Sequence, residues 1–204
     1  MGLKGTNQEF GRPYNRRIVL ETIRLHGPVA RGDIATHVGL TVQTVSNIIR
    51  ELEDMGFVAG SREQPKGRGY PATNLKINPD GGYSIGVNVT PIGLGVAMVN
   101  LAGEVVARVD QMQRPRDPGI ALQDIATLVG KLRGQQPGKR ILGIGLAMPG
   151  PFDVESMSFV GPTTLEGWKG FPVQQRLAAL SRLPAFIEVD HAAAALGERL
   201  YGAG

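Results

Sequence analysis

Apolar residues recur at helical spacing in the first quarter of the chain and alternate with polar ones or run together after it. That change of period divides the chain. Ile18, Val19, Thr22, Ile23 and Leu25 predict a helix from Asn15 to His26, ended by Gly27-Pro28. Ile34, Ala35 and Val38 fall on one side of a short helix, Arg31 to Val38, and Gly39-Leu40 makes a tight turn. Thr41 stands where an N-cap belongs, before a longer periodic run from Val42 to Met55 that stops at Gly56. Helix, short helix, Gly-containing turn and helix in this order is the helix-turn-helix pattern.

Projected at about 100° per residue, the third of these helices places Val42, Val45, Ile48, Ile49, Leu52 and Met55 on one side. Gln43, Ser46, Asn47 and Arg50 fall on the opposite side, at i, i+3, i+4 and i+7. A solvated amphipathic face would have this layout. So would a recognition helix, because Arg pairs with guanine and Asn or Gln with adenine in the major groove. Thr44 and Ser46 suit phosphate or base contacts.

The segment after this helix favours recognition. Two short strands are predicted at Phe57–Ala59 and Thr73–Ile77, and the loop between them carries Arg62, Lys66, Gly67, Arg68 and Gly69. A basic, Gly-rich loop directly after a recognition helix is a wing, which sets cations against phosphates or into the minor groove. A flexible hairpin with incidental charges is the plainer alternative. The candidate DNA-contacting set is therefore Thr41, Gln43, Thr44, Ser46, Asn47 and Arg50 from the helix, with Arg62, Lys66 and Arg68 from the wing.

The turn-rich segment Asn78 to Gly82 marks a boundary, so residues 1–80 are expected to be the DNA-binding domain and residues 81–204 a second domain. In the latter, Tyr83, Ile85, Val87 and Val89 alternate with polar or small residues, as in a strand. Further strands are expected at Gly93–Leu101 and Glu104–Val109, then a helix between Gly119 and Gly134. The apolar run Ile141–Ala147 predicts a buried strand. A helix at Val173–Leu180, a strand at Ala185–Val189 and an Ala-rich helix at His191–Tyr201 complete the order βββαβαβα. This is an α/β pattern: a mixed sheet with helices on both faces.

Composition narrows the function classes. The chain has 204 residues, enough for two small domains, with 42% hydrophobic and 20% charged residues. It lacks Cys, so no disulfide scaffold or thiolate metal site can come from it alone. The apolar runs are too short for a membrane span. Met1 to Arg17 is polar and has no secretory h-region. A cytoplasmic location is expected. The net charge of +4 is mild, but residues 1–80 hold 11 basic and 8 acidic residues, so most of the excess lies with the helix and wing.

An ordered set of motifs resembles the ROK family (repressor, open reading frame, kinase). In the first domain it comprises Asn15-Arg16, Gly27-Pro28, Gly39-Leu40-Thr41, Thr44-Val45-Ser46, Gly67-Arg68-Gly69-Tyr70-Pro71 and Asn78-Pro79. In the second it comprises Gly143-Ile144-Gly145, Pro149-Gly150-Pro151, Gly167-Trp168, Pro172, the Glu188/Asp190 pair and Tyr201-Gly202. The order holds over nearly all of residues 12–204. The resemblance implies a winged helix-turn-helix joined to a sugar-kinase-like lobe of the ribonuclease H/actin-like ATPase type. The family holds both sugar kinases and sugar-responsive repressors.

In the kinases of that family the first hairpin of the lobe reads Asp-x-Gly-Gly-Thr and cradles the ATP phosphates. Here it reads Asn88-Val89-Thr90-Pro91-Ile92. The Mg²⁺-organising acid is an amide, both glycines are replaced, and Pro91 lacks an N–H. No catalytic residue and no cofactor is therefore expected. The resemblance places sugar contacts at Thr164, Glu188, Asp190 and His191, although the family's amides at Thr164 and before Asp190 are absent. Asp190 fits a sugar contact and equally the N-cap of the helix it precedes. His191 fits a polar contact or simply a helix start. The single Trp168 fits packing at the lobe surface or stacking on a sugar.

The family's second lobe, with its zinc site, further sugar contacts and much of the dimer interface, has no counterpart before Gly204, so zinc is not expected. The expected partners are double-stranded DNA, a small sugar effector and a second copy of the chain, with no membrane. The expected function is a sequence-specific transcriptional regulator, of repressor type, of carbohydrate-related genes. A ROK sugar kinase and a truncated, non-catalytic sugar-sensing remnant are the alternatives.

Overall fold

The computed structural model describes residues 11–62, 73–112, 117–150, 152–153, 158–159, 165 and 167–202. They form two compact units that divide between Gly81 and Gly82.

The first unit opens with α1 (Gly11–His26), α2 (Arg31–Val38) and α3 (Val42–Asp54). Each boundary has a local cause. Gly39 caps α2 in the left-handed conformation, with φ 67°. Thr41 caps α3, its hydroxyl accepting from the Thr44 amide at 3.1 Å. Gly56, at φ 76°, turns the chain after the Met55 C-cap. The Asn78 side-chain amide donates to the Gly56 carbonyl at 2.8 Å and so ties down the end of α3. Strands β1 (Val58–Arg62) and β2 (Thr73–Ile77) pair antiparallel, Val58 opposite Ile77. Val29 bridges the other edge of β2, exchanging both backbone hydrogen bonds with Leu75. Three helices on a small hairpin sheet is the winged-helix arrangement. Ile18, Val19, Ile23, Ile34, Val45, Ile49, Leu52 and Leu75 fill its core.

Some details differ from the sequence pattern. Helix α1 begins at Gly11, four residues before the expected start at Asn15. Val42, on the apolar side of α3 by its spacing, is 53% exposed. It is the first residue of the helix, directly after the cap, and the core side begins only at Val45.

The second unit is built on a five-stranded sheet in the order β5-β4-β3-β6-β9. Its strands are β3 (Tyr83–Thr90), β4 (Gly93–Asn100), β5 (Val105–Gln111), β6 (Ile141–Met148) and β9 (Ala185–Val189). The first three are antiparallel, while β6 and β9 run parallel to β3. Between β6 and β9 lie a two-residue hairpin, β7 (Phe152–Asp153) with β8 (Ser158–Phe159), and α5 (Val173–Ser181). Helix α4 (Pro118–Gln135) connects β5 to β6, and α6 (Asp190–Tyr201) follows β9. Asp117 caps α4 by accepting from the Ile120 amide at 2.9 Å. Apart from the added β7–β8 hairpin, the order βββαβαβα is as the sequence implied, in an α/β chain of two units.

The two faces of the sheet are unequal. Tyr83, Ile85, Val87 and Val89 point into a core shared with Leu122, Ile125, Leu128 and Leu132 of α4 and Val173 and Leu177 of α5. The other face carries Ser84, Gly86 and Asn88 on β3, all exposed. Helix α6 reaches it at the β6–β9 side, but none of its residues is buried. The expected covering of both faces is therefore complete on only one. Trp168, expected at the lobe surface, is fully buried in the core with α4 and α5, which corrects both the surface-packing and the sugar-stacking readings. Ile120 is exposed in the first turn of α4, turned well away from the side that buries Ile125, Leu128 and Leu132. Among the described residues no helix is long and apolar enough to cross a membrane.

Candidate functional site

Helix α3 separates its two faces cleanly. Val45, Ile48, Ile49 and Leu52 are buried, whereas Gln43, Asn47 and Arg50 are exposed and Ser46 is half-buried. Gln43 reaches Asn47 one turn on, its amide donating to the Asn47 carbonyl oxygen at a long 3.5 Å. Thr41 and Thr44 are committed to the cap, their hydroxyls 2.9 Å apart. They sit at the N-terminal end, where amides and the helix dipole favour an anion such as a phosphate.

Two acids of α3 are held away from its exposed face. Glu51 pairs with Arg12 and, at 3.6 Å, with Arg16, both on α1. Glu53 pairs with Arg31 at the start of α2, also at 3.6 Å. Local sequence pattern carries no sign of these three pairs, since their members are 22 to 39 residues apart. They join α3 to both helices beside it and leave Arg50 alongside Gln43 and Asn47. Of the wing residues, Arg62 ends β1, while Lys66 and Arg68 lie outside the described residues.

The second unit brings part of its predicted site together. Asn88, Ala147 and Glu188 are neighbours across β3, β6 and β9, so Asn88 and Glu188 share the open face. They lie near the C-terminal ends of parallel strands, where open α/β sheets hold ligands. Glu188 is exposed and accepts from its own neighbour's amide, Val189, at 2.9 Å. Asp190 is the first residue of α6, and its carboxylate accepts from the His191 amide at 2.7 Å. It is therefore not the N-cap. Val189 occupies that position, and it is extended and offers no side-chain acceptor. The Asp190 charge still lies in the first turn, where the helix dipole favours it. The His191 ring is 3.4 Å from the same carboxylate. Thr164 lies outside the described residues.

The hairpin turn after β3 has a chemistry of its own. The Thr90 hydroxyl oxygen accepts from the amides of Ile92, at 3.3 Å, and Gly93, at 3.1 Å, and donates to the Gly93 carbonyl. Pro91 has no N–H. The backbone donors that would cradle a phosphate are thus directed at the turn's own side chain. Among the described residues no group of three or more His, Asp or Glu side chains is placed to hold a metal ion.

Comparison with known proteins agrees with this division. The MarR family model matches residues 16–65, the helices and the start of the wing. The xylose repressor of Bacillus subtilis is 25% identical over 201 residues, which cover 97% of this chain and 51% of that protein. A glucokinase of Halalkalibacterium halodurans is 32% identical over 125 residues, 60% of this chain and 38% of the enzyme. The chain thus spans about half the length of the xylose repressor it matches. Among solved structures, a ROK family transcriptional regulator, a homolog of the Escherichia coli Mlc protein, superposes with a TM-score of 0.75. It is 23% identical and aligns with 93% of this chain and 48% of its own. The ROK family model matches residues 84–204, more than half of the sequence, and the chain belongs to the ROK family.

Proposed function

We propose that the chain is a sequence-specific, DNA-binding transcriptional regulator of repressor type for carbohydrate-related genes, and not an enzyme. Residues 1–80 hold the DNA and residues 81–204 form the effector lobe. The observation that carries the reading is the exposed row Gln43, Asn47 and Arg50 on a capped helix whose Glu51 and Glu53 are paired away from it. Gln and Asn match adenine, and Arg matches guanine, in the major groove. Thr41, Thr44 and Ser46 flank the phosphates, and Arg62, Lys66 and Arg68 extend the contact through the wing. Similarity to the xylose repressor over nearly the whole chain supports a repressor of sugar genes. A DNA-binding role places its work in the cytoplasm.

The second unit acts as a sensor. Glu188, Asp190 and His191, with Thr164, offer acceptors and donors for the hydroxyls of a small sugar. Two findings speak against phosphoryl transfer. Asn88 replaces the acid that would organise Mg²⁺, and Thr90 consumes the amides of the turn. A homodimer would read a palindrome through two half-sites about 34–36 Å apart.

Fluorescence anisotropy with the DNA upstream of its own gene tests the reading. Retention that exceeds that of scrambled DNA and weakens steeply with salt is expected. Equal affinity for both DNAs at every salt concentration would overturn sequence-specific binding. Turnover of ATP with any sugar would overturn the non-enzymatic assignment.

A further inference from the structure

The first turn of α3 carries an apolar side chain that the fold does not use. Val42 is more than half exposed, and it belongs neither to the core of the first unit nor to the partly buried residues packed against that core. A single apolar residue on a surface needs no explanation. The place of this one gives it a meaning. Val42 is the first residue of α3, directly before Gln43 and one turn before Ser46, so it borders the row of Gln43, Asn47 and Arg50. Recognition helices touch base edges with their N-terminal residues. In this first turn Thr44 directs both its amide and its hydroxyl at Thr41, and Val45 is buried. Val42 and Gln43 are what the turn presents outward, and Gln43 leans along the helix toward Asn47.

The chemistry of the major groove then selects the partner. Its base edges offer hydrogen-bond donors and acceptors and one kind of apolar group, the C5-methyl of thymine. A branched apolar side chain makes no hydrogen bond to a phosphate or to a guanine edge. It gains only where it and another apolar group leave water together. We propose that Val42 is a specificity-determining residue that reads thymine, its γ-methyl groups packing on the C5-methyl of one thymine in the operator. The inference rests on the regulator reading of α3 and deepens it. Gln43, Asn47 and Arg50 match adenine and guanine, whereas Val42 reports a base that those three do not.

The test is fluorescence anisotropy of the full chain with duplexes from the DNA upstream of its own gene, each thymine replaced in turn by uracil. Uracil pairs with adenine as thymine does and lacks only the C5-methyl. One replacement should weaken wild-type binding roughly three- to five-fold, the worth of one buried methyl group. Val42→Ala should weaken binding to the unmodified duplex to a similar extent and should be indifferent to uracil at that position. Val42→Ile should keep the wild-type response. Because Val42 is exposed and Ala is the better helix former, Val42→Ala should melt at the same or a slightly higher temperature. A role in helix stability alone would leave the response to uracil as it is in the wild type. Specific binding that no uracil replacement weakens would overturn the thymine contact and leave the regulator reading standing. So would a Val42→Ala protein that loses as much from uracil as the wild type does. A wild type that prefers no duplex over scrambled DNA would overturn both.

Discussion

Thr41→Asp separates the stability of the recognition helix from its contact with DNA. Thr41 is exposed, and its hydroxyl accepts from the Thr44 amide at 3.1 Å, satisfying one of the free amides at the start of α3. Asp caps at least as well as Thr, and its charge meets the positive end of the helix dipole, a gain of about 0.3–1 kcal/mol. Folding should therefore be unchanged or slightly strengthened. Thr41→Ala removes the acceptor and should cost about 1 kcal/mol, since water reaches the amide. In a domain of this size that lowers the melting temperature by about 4–8 °C. If the start of α3 faces phosphates, the same Asp sets two like charges close together. At about 4 Å their repulsion is about 1 kcal/mol in water and about 4 kcal/mol near a protein surface, a loss of roughly five-fold to several hundred-fold in affinity.

Thermal unfolding by circular dichroism reads the first quantity and fluorescence anisotropy at low salt the second. Trp168, the only tryptophan, is buried in the second unit, so its fluorescence should not respond to either change and serves as a control. A Thr41→Asp protein that is as stable as the wild type and binds DNA equally well would refute the placement of α3 against the duplex.

Arg50→Ala should weaken binding to the preferred operator by about 1–3 kcal/mol and relax specificity at one base position, read by competition with single-base variants. Lys66→Ala should weaken all sequences about equally and reduce the salt slope by roughly one. Trp168→Ala should destabilise the second unit by about 3–5 kcal/mol in a denaturant titration and leave the unfolding of the first unit in place. Gly103 has φ 89°, and a Cβ there would meet the Tyr201 ring at 2.3 Å. Because that ring is half exposed and can move aside, Gly103→Ala should cost about 1–2 kcal/mol, mainly from the backbone conformation, measured as a fall in melting temperature of the second unit.

Features that neighbouring residues decide were legible in the sequence. Helix ends could be read because a Thr41 hydroxyl, a left-handed Gly39 and the Gly56 turn act over four or five residues. The recognition row on α3 could be read because a helix of 13 residues repeats its apolar side often enough to define the opposite one. The order of the longer strands and helices in the second unit followed from period and turn residues. How far each apolar side chain is covered depends on packing between elements distant in the chain. Val42 fits the period yet stands exposed in the first turn of its helix, while Trp168, in a segment with no period, is fully buried in the core that α4 and α5 share. The two-residue strands β7 and β8 are too short to show any alternation. The ion pairs of Glu51 and Glu53 depend on how three helices cross, which local pattern does not encode. Gly86, Ala97 and Gly145 were visible in the sequence only as scattered small residues. Strand pairing sets them side by side, and burial on one face of the sheet leaves them on the other.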